Sequence, residues 1–111
     1  MQWEPICPAN LIPVNAGAAA LIDGVQIALF RVGDDIFAID NYDPIGEANV
    51  LARGIVCDIR GELCVASPLY KQHFSLRSGQ CLEDENVRVN TYDVRISSGA
   101  IEIQQLKRQA A

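Results

Sequence analysis

Turn dipeptides punctuate this chain at short intervals: Asp23-Gly24, Gly33-Asp34, Arg60-Gly61, Ser78-Gly79 and Ser98-Gly99. Each supplies a residue that tolerates positive φ between two runs of apolar and β-branched residues, a pattern that admits hairpins and little else. Val25–Val32 is nearly continuously apolar, as expected of a strand covered on both faces. Ala16–Ile22 is rich in alanine, which favours helix. It is too short for an independent helix, however, and Asp23-Gly24 leads straight into the next β-rich run, so it reads as a strand. Asp35–Asp40 runs back after Gly33-Asp34, giving a three-stranded antiparallel meander. Ile55–Ile59 and Glu62–Ala66 are read as a second hairpin around Arg60-Gly61.

Around this frame the assignments are less regular. Gln2–Cys7 reads as a first strand that Pro5 and Pro8 confine to an edge or an end. Asn10–Pro13 reads as a connection, and Asn41–Gly54, with Pro44, Gly46 and Gly54, as a loop with one helical turn near Glu47–Leu51. Val87–Ile96 alternates in two phases: Val87, Val89 and Thr91 share one parity, and Tyr92, Val94 and Ile96 the other. A bulge or bend near Thr91-Tyr92 would account for the slip, since one extra residue exchanges the two faces. Ile101–Gln104 is the expected final strand, with fraying over about 105–111. The expectation is therefore an all-β chain whose residues 1–111 form one domain.

A chain of 111 residues, half of them apolar, can bury roughly two-thirds of its unfolded surface. The net charge of −5 argues against nucleic-acid or anionic-membrane partners, which are bound through excess Lys and Arg. There is neither an apolar run near the length of a membrane span nor a basic segment leading into an apolar stretch at the start, so a cytoplasmic protein is expected. Cys7, Cys57, Cys64 and Cys81 are then expected to be thiols, each beside an aliphatic or proline neighbour and acting as small core residues.

Chemistry-bearing patterns are scarce. His73 beside a cysteine would make a nucleophile-base pair, yet it falls after a loop, with no nucleophile signature around any Cys. The cysteines lack the close spacing of structural zinc or plant-type ferredoxin sites. Asp34, Asp35, Asp40 and Asp43 lack the fixed glycine and final glutamate of a calcium loop and read as turn formers. The glycines are scattered singly, without a phosphate-cradling motif. No catalytic and no metal-binding residue is assigned.

Two segments carry a resemblance. Ser67-Pro68-Leu69-Tyr70 followed by His73-Phe74-Ser75-Leu76-Arg77-Ser78-Gly79 resembles the second ligand loop and hairpin of Rieske domains, where Cys-Pro-x-His precedes Phe-x-Leu-x-x-Gly. Asp43-Pro44-Ile45 is similarly placed to the first ligand loop, Cys-x-His. Asp43 and Ser67 stand at the cysteine positions, and Ile45 and Tyr70 at the histidine positions. A Rieske cluster needs two Cys and two His, and the chain has one His. With Trp3, Ala38–Pro44 and Ala48–Ile55, these segments resemble specifically the small subunits of cytoplasmic NAD(P)H-dependent nitrite reductases.

The resemblance implies a Rieske-like antiparallel β-sandwich with a small ligand-loop subdomain and no cofactor in this chain. It implies a non-catalytic subunit in nitrate assimilation, supporting a large subunit that carries FAD, sirohaem and an iron-sulfur cluster and reduces nitrite to ammonium. The former cluster tip, with Asp43, Ile45, Ser67, Pro68, Leu69 and Tyr70, would dock that partner, Tyr burying its ring while its hydroxyl hydrogen-bonds. Self-association of the isolated chain would hide the same surface. An electron-transfer ferredoxin is opposed by the missing ligands. A free-standing binding or regulatory module with another partner is the alternative, since fold likeness does not fix function.

Overall fold

A computed structural model describes residues 3–104 of the chain. It is built from twelve strands: β1 (Trp3–Pro8), β2 (Ala16–Ile22), β3 (Val25–Val32), β4 (Asp35–Asp40), β5 (Tyr42–Asp43), β6 (Ala48–Asn49), β7 (Ile55–Ile59), β8 (Glu62–Ala66), β9 (His73–Ser75), β10 (Thr91–Tyr92), β11 (Val94–Ser97) and β12 (Ala100–Gln104). There is no α-helix among the described residues; 3-10 turns cover Ala9–Leu11 and Leu51–Arg53.

The antiparallel meander β2-β3-β4, extended by β10, forms a four-stranded sheet with the order β10-β4-β3-β2. This sheet is buried on both faces because β3 and β4 alternate between two apolar layers. On one side Ile27, Leu29 and Ala38 meet Ile101 and Ile103 of the sheet β1-β12-β11. On the other, Ala28, Phe30 and Ile39 meet Val65, Phe74 and Leu76 of the β7-β8-β9 unit. The continuous apolar run of β3 therefore has the two-sided cover expected of it. β1 lies at an edge of its sheet, where its prolines are tolerated.

One local expectation is narrowed and another corrected. Of the bulge or bend expected near Thr91-Tyr92, the bulge is absent: β10 pairs with β4 and β11 pairs with β12, so the chain turns from one sheet to the other around Asp93. Val87 and Val89 pack in the layer of Phe74 and Leu76, Tyr92 and Val94 in the layer of Ile101 and Ile103, and Ile96 is exposed. The segment 41–54 contains a short ladder, Tyr42 opposite Asn49 and Asp43 opposite Ala48, and its helical turn sits at Leu51–Arg53, at the end of the expected Glu47–Leu51 and beyond it. The connection after β1 contributes Ile12 to the core, 1% exposed. The expected fraying over 105–111 lies outside the described residues.

Candidate functional site

The two loops that carry the former ligand positions are built alike. In the first, Glu47 N–H donates to the Asp43 carbonyl oxygen at 2.7 Å; in the second, Lys71 N–H donates to that of Ser67 at 3.0 Å. Each is a five-residue turn with proline second, where a fixed φ helps, and a final residue at positive φ, 55° at Glu47 and 62° at Lys71. Buried Asn41 anchors the first loop, donating to Gln26 Oε1 at 2.9 Å and accepting Ala52 N–H at 2.7 Å. β8 feeds the second, and Ser67 N–H closes it by donating to the Gln72 carbonyl at 2.8 Å.

Both loops meet at one tip. Ser67 Oγ donates to Asp43 Oδ2 at 2.5 Å, and Asp43 Oδ1 accepts the backbone N–H groups of Ile45 at 2.8 Å and Gly46 at 3.1 Å. Ser67 Oγ in turn accepts Leu69 N–H at 3.3 Å. Asp43 is 0% and Ser67 1% exposed, so the two residues at the cysteine positions face each other inside the tip. The space between the loops is filled: a Cβ on Gly46 would overlap the Leu69 side chain.

The side chains at the four former ligand positions are therefore a carboxylate, a branched aliphatic, a hydroxyl and a phenol. These do not fit a two-iron cluster held by thiolates and imidazoles. The carboxylate is already committed to three donors, and no group of three His, Cys, Asp or Glu suited to a metal occurs among the described residues. What the tip does present is Pro68, Leu69 and Tyr70, all exposed, Tyr70 at 65%. Ile45 is half-buried against the core. The two loops expected to meet do so through Asp43, Ser67 and Leu69, but the sequence held no sign that Asp43 and Ser67 lie beneath the surface. The clue available was chemical: an acceptor-only Asp opposite a hydroxyl donor is a matched pair.

His73 is held away from any thiol chemistry. Its Nδ1 lies 2.6 Å from Glu83 Oε2 and its backbone N–H donates to Glu83 Oε1 at 2.7 Å. Burial raises the Glu83 pKa, but the N–H, ring and charge of His73 together outweigh it and hold the carboxyl below its usual value. The Cys81 thiol, near the same carboxylate, is raised by burial, the reverse of what a nucleophile needs. No helix among the described residues is long and apolar enough to cross a membrane.

Comparison with known proteins follows the same lines. Residues 2–104 match the family model of the Rieske-like [2Fe-2S] domain. The nitrite reductase (NADH) small subunit of Salmonella typhimurium is 46% identical over 104 residues, covering 92% of this chain and 96% of that one. A nitrite reductase [NAD(P)H] large subunit from Klebsiella oxytoca is 43% identical over 99 residues, which are 89% of this chain but 10% of that protein. The solution structure of the Escherichia coli protein NirD superposes with a TM-score of 0.85 at 43% identity, over 92% of this chain and 94% of that one. With its cysteine positions taken by a hydrogen-bonded Asp and Ser, the chain belongs to the Rieske-like domain family and, within it, to the nitrite reductase small subunits.

Proposed function

We propose that this chain is the small, non-catalytic subunit of a cytoplasmic NAD(P)H-dependent nitrite reductase, and that it docks on the large subunit through Pro68, Leu69 and Tyr70. The observation that carries this reading is the Asp43–Ser67 hydrogen bond. It spends on internal order the positions a Rieske electron carrier would spend on iron, so the redox groups, FAD, sirohaem and an iron-sulfur cluster, belong to the partner. The Klebsiella oxytoca relative supports the choice of partner, because there a closely similar stretch is part of a large-subunit chain. Covalent continuity in one protein favours contact between separate chains in another. An exposed Tyr flanked by Leu and Pro, on loops braced from within, is a surface whose docking costs little ordering of the backbone.

Replacing Tyr70 by Ala tests the docking surface while leaving Leu69 in place over Gly46 and the Asp43–Ser67 hydrogen bond undisturbed. Binding to the large subunit is expected to weaken about tenfold or more, as for loss of an aromatic anchor. Nitrite-dependent NADH oxidation by the mixture should then require correspondingly more of the variant chain. Unchanged affinity would move the interface elsewhere.

A further inference from the structure

The β7-β8 hairpin turns through Arg60 and Gly61, both at positive φ, 52° and 87°. This is the geometry of a two-residue hairpin loop, which fixes register. Cys57 is consequently placed directly opposite Cys64, and their Sγ atoms lie 3.1 Å apart. Opposed residues of an antiparallel pair have Cα atoms about 4.5–5.5 Å apart, inside the span that disulfides bridge. Closure therefore needs a small side-chain adjustment and no rearrangement of the strands.

We propose that Cys57 and Cys64 are a redox-active dithiol, oxidised by low-molecular-weight disulfides to a cross-strand disulfide. The two thiols are not equivalent. Cys57 is partly exposed, whereas Cys64 is 0% exposed. Burial, with the neighbouring Cys57 thiol adding to it, pushes the Cys64 pKa up to about 12, so Cys57 is the entry point. Its thiolate attacks one sulfur of the small disulfide and expels the first small thiol, leaving a mixed disulfide on Cys57. Cys64 then gives up its proton as its sulfur attacks Cys57 Sγ, expelling the second small thiol. Two protein thiols are oxidised and one small disulfide is reduced to two small thiols, with both protons carried off on the products. The remaining cysteines are placed otherwise: Cys7 lies on β1, and Cys81 donates to Glu83. The bridge would tie β8, which leads into the Ser67 loop three residues after Cys64, to its neighbour β7.

The test uses the full reduced chain and oxidised glutathione, read by intact mass without reductant. The parent chain is expected to lose the mass of two hydrogens, reversibly with dithiothreitol. Trypsin, cutting after Arg53, Arg60 and Lys71, should then release residues 54–60 and 61–71 as one linked species. Cys64→Ser should instead retain glutathione on Cys57, and Cys57→Ser should leave Cys64 unmodified. Stable glutathionylation of the parent chain, a link through Cys7 or Cys81, or no reaction at all would overturn the proposal; the parent-chain map decides even if a variant fails to fold.

Discussion

Asp43→Ala is expected to unfold at a markedly lower urea concentration than the parent chain, with about 3 kcal/mol or more of stability lost. The carboxylate accepts from Ile45 N–H, Gly46 N–H and Ser67 Oγ while wholly buried. Truncation leaves those donors without partners, and each buried orphan costs roughly 1–3 kcal/mol. Asp43→Asn separates hydrogen bonding from charge. Its oxygen can still accept both amides, and its amide group can donate to the Ser67 hydroxyl, which also accepts. A smaller loss of about 1–2 kcal/mol is expected for Asn, because only the Ser67 O–H is left without its acceptor. Equal losses for the two variants would mean that the charge, and not the hydrogen-bonded bracing of the loops, is what holds the tip.

Gly79→Ala should be of similar size for a different reason. Gly79 has φ +79°, and a Cβ there would overlap the Val89 carbonyl oxygen. That carbonyl belongs to backbone already bound to Gly79, since Val89 N–H donates to the Gly79 oxygen at 2.9 Å. Relief requires the segment carrying Val89, 5% exposed in the core beside Phe74 and Leu76, to move away. The left-handed backbone costs about 1–2 kcal/mol and the overpacking about 1–3 kcal/mol, so a total near 3 kcal/mol is expected in chemical denaturation. Gly61→Ala is the control. It has φ +87° with nothing within 4 Å of its Cβ, and only the backbone contribution, about 1 kcal/mol, should appear.

These contrasts mark where the sequence was informative. Asp23-Gly24, Gly33-Asp34 and Arg60-Gly61 are local signals for local structure, and the hairpins they make appear with the strand limits read from them. Ala16–Ile22 came out as a strand despite its alanines because the hairpin register with β3 overrides intrinsic propensity. The two parities of Val87–Ile96 were equally visible, but a bulge and a change of sheet leave the same trace. Only the pairing partners, β4 for Thr91-Tyr92 and β12 for Val94–Ser97, distinguish them, and those are distant in sequence.

The candidate site divides in the same way. That Asp43-Pro44-Ile45 and Ser67-Pro68-Leu69-Tyr70 would converge was readable from matching loops, each fed by a strand. That Asp43 and Ser67 would turn inward was not, because burial depends on how Leu69 fills the gap over Gly46. The opposition of Cys57 and Cys64 was legible without any structure, since both are equally far from the Arg60-Gly61 turn. Reading the cysteines only as core residues passed over that symmetry. His73 and Glu83 are joined across the β9 turn and the acidic connection after it, a pairing that no spacing rule anticipates.

The measurement that bears most directly on the Asp43–Ser67 tip is iron and acid-labile sulfide in the chain purified alone under anaerobic conditions, together with its visible spectrum. Neither element in stoichiometric amount and no visible absorption is the expected result, because carboxylate, hydroxyl, aliphatic and phenol at the four positions cannot replace two thiolates and two imidazoles. A stoichiometric pair of irons and sulfides, with a reduced-state paramagnetic signal, would contradict the assignment of this chain as an accessory subunit whose tip binds protein instead of metal.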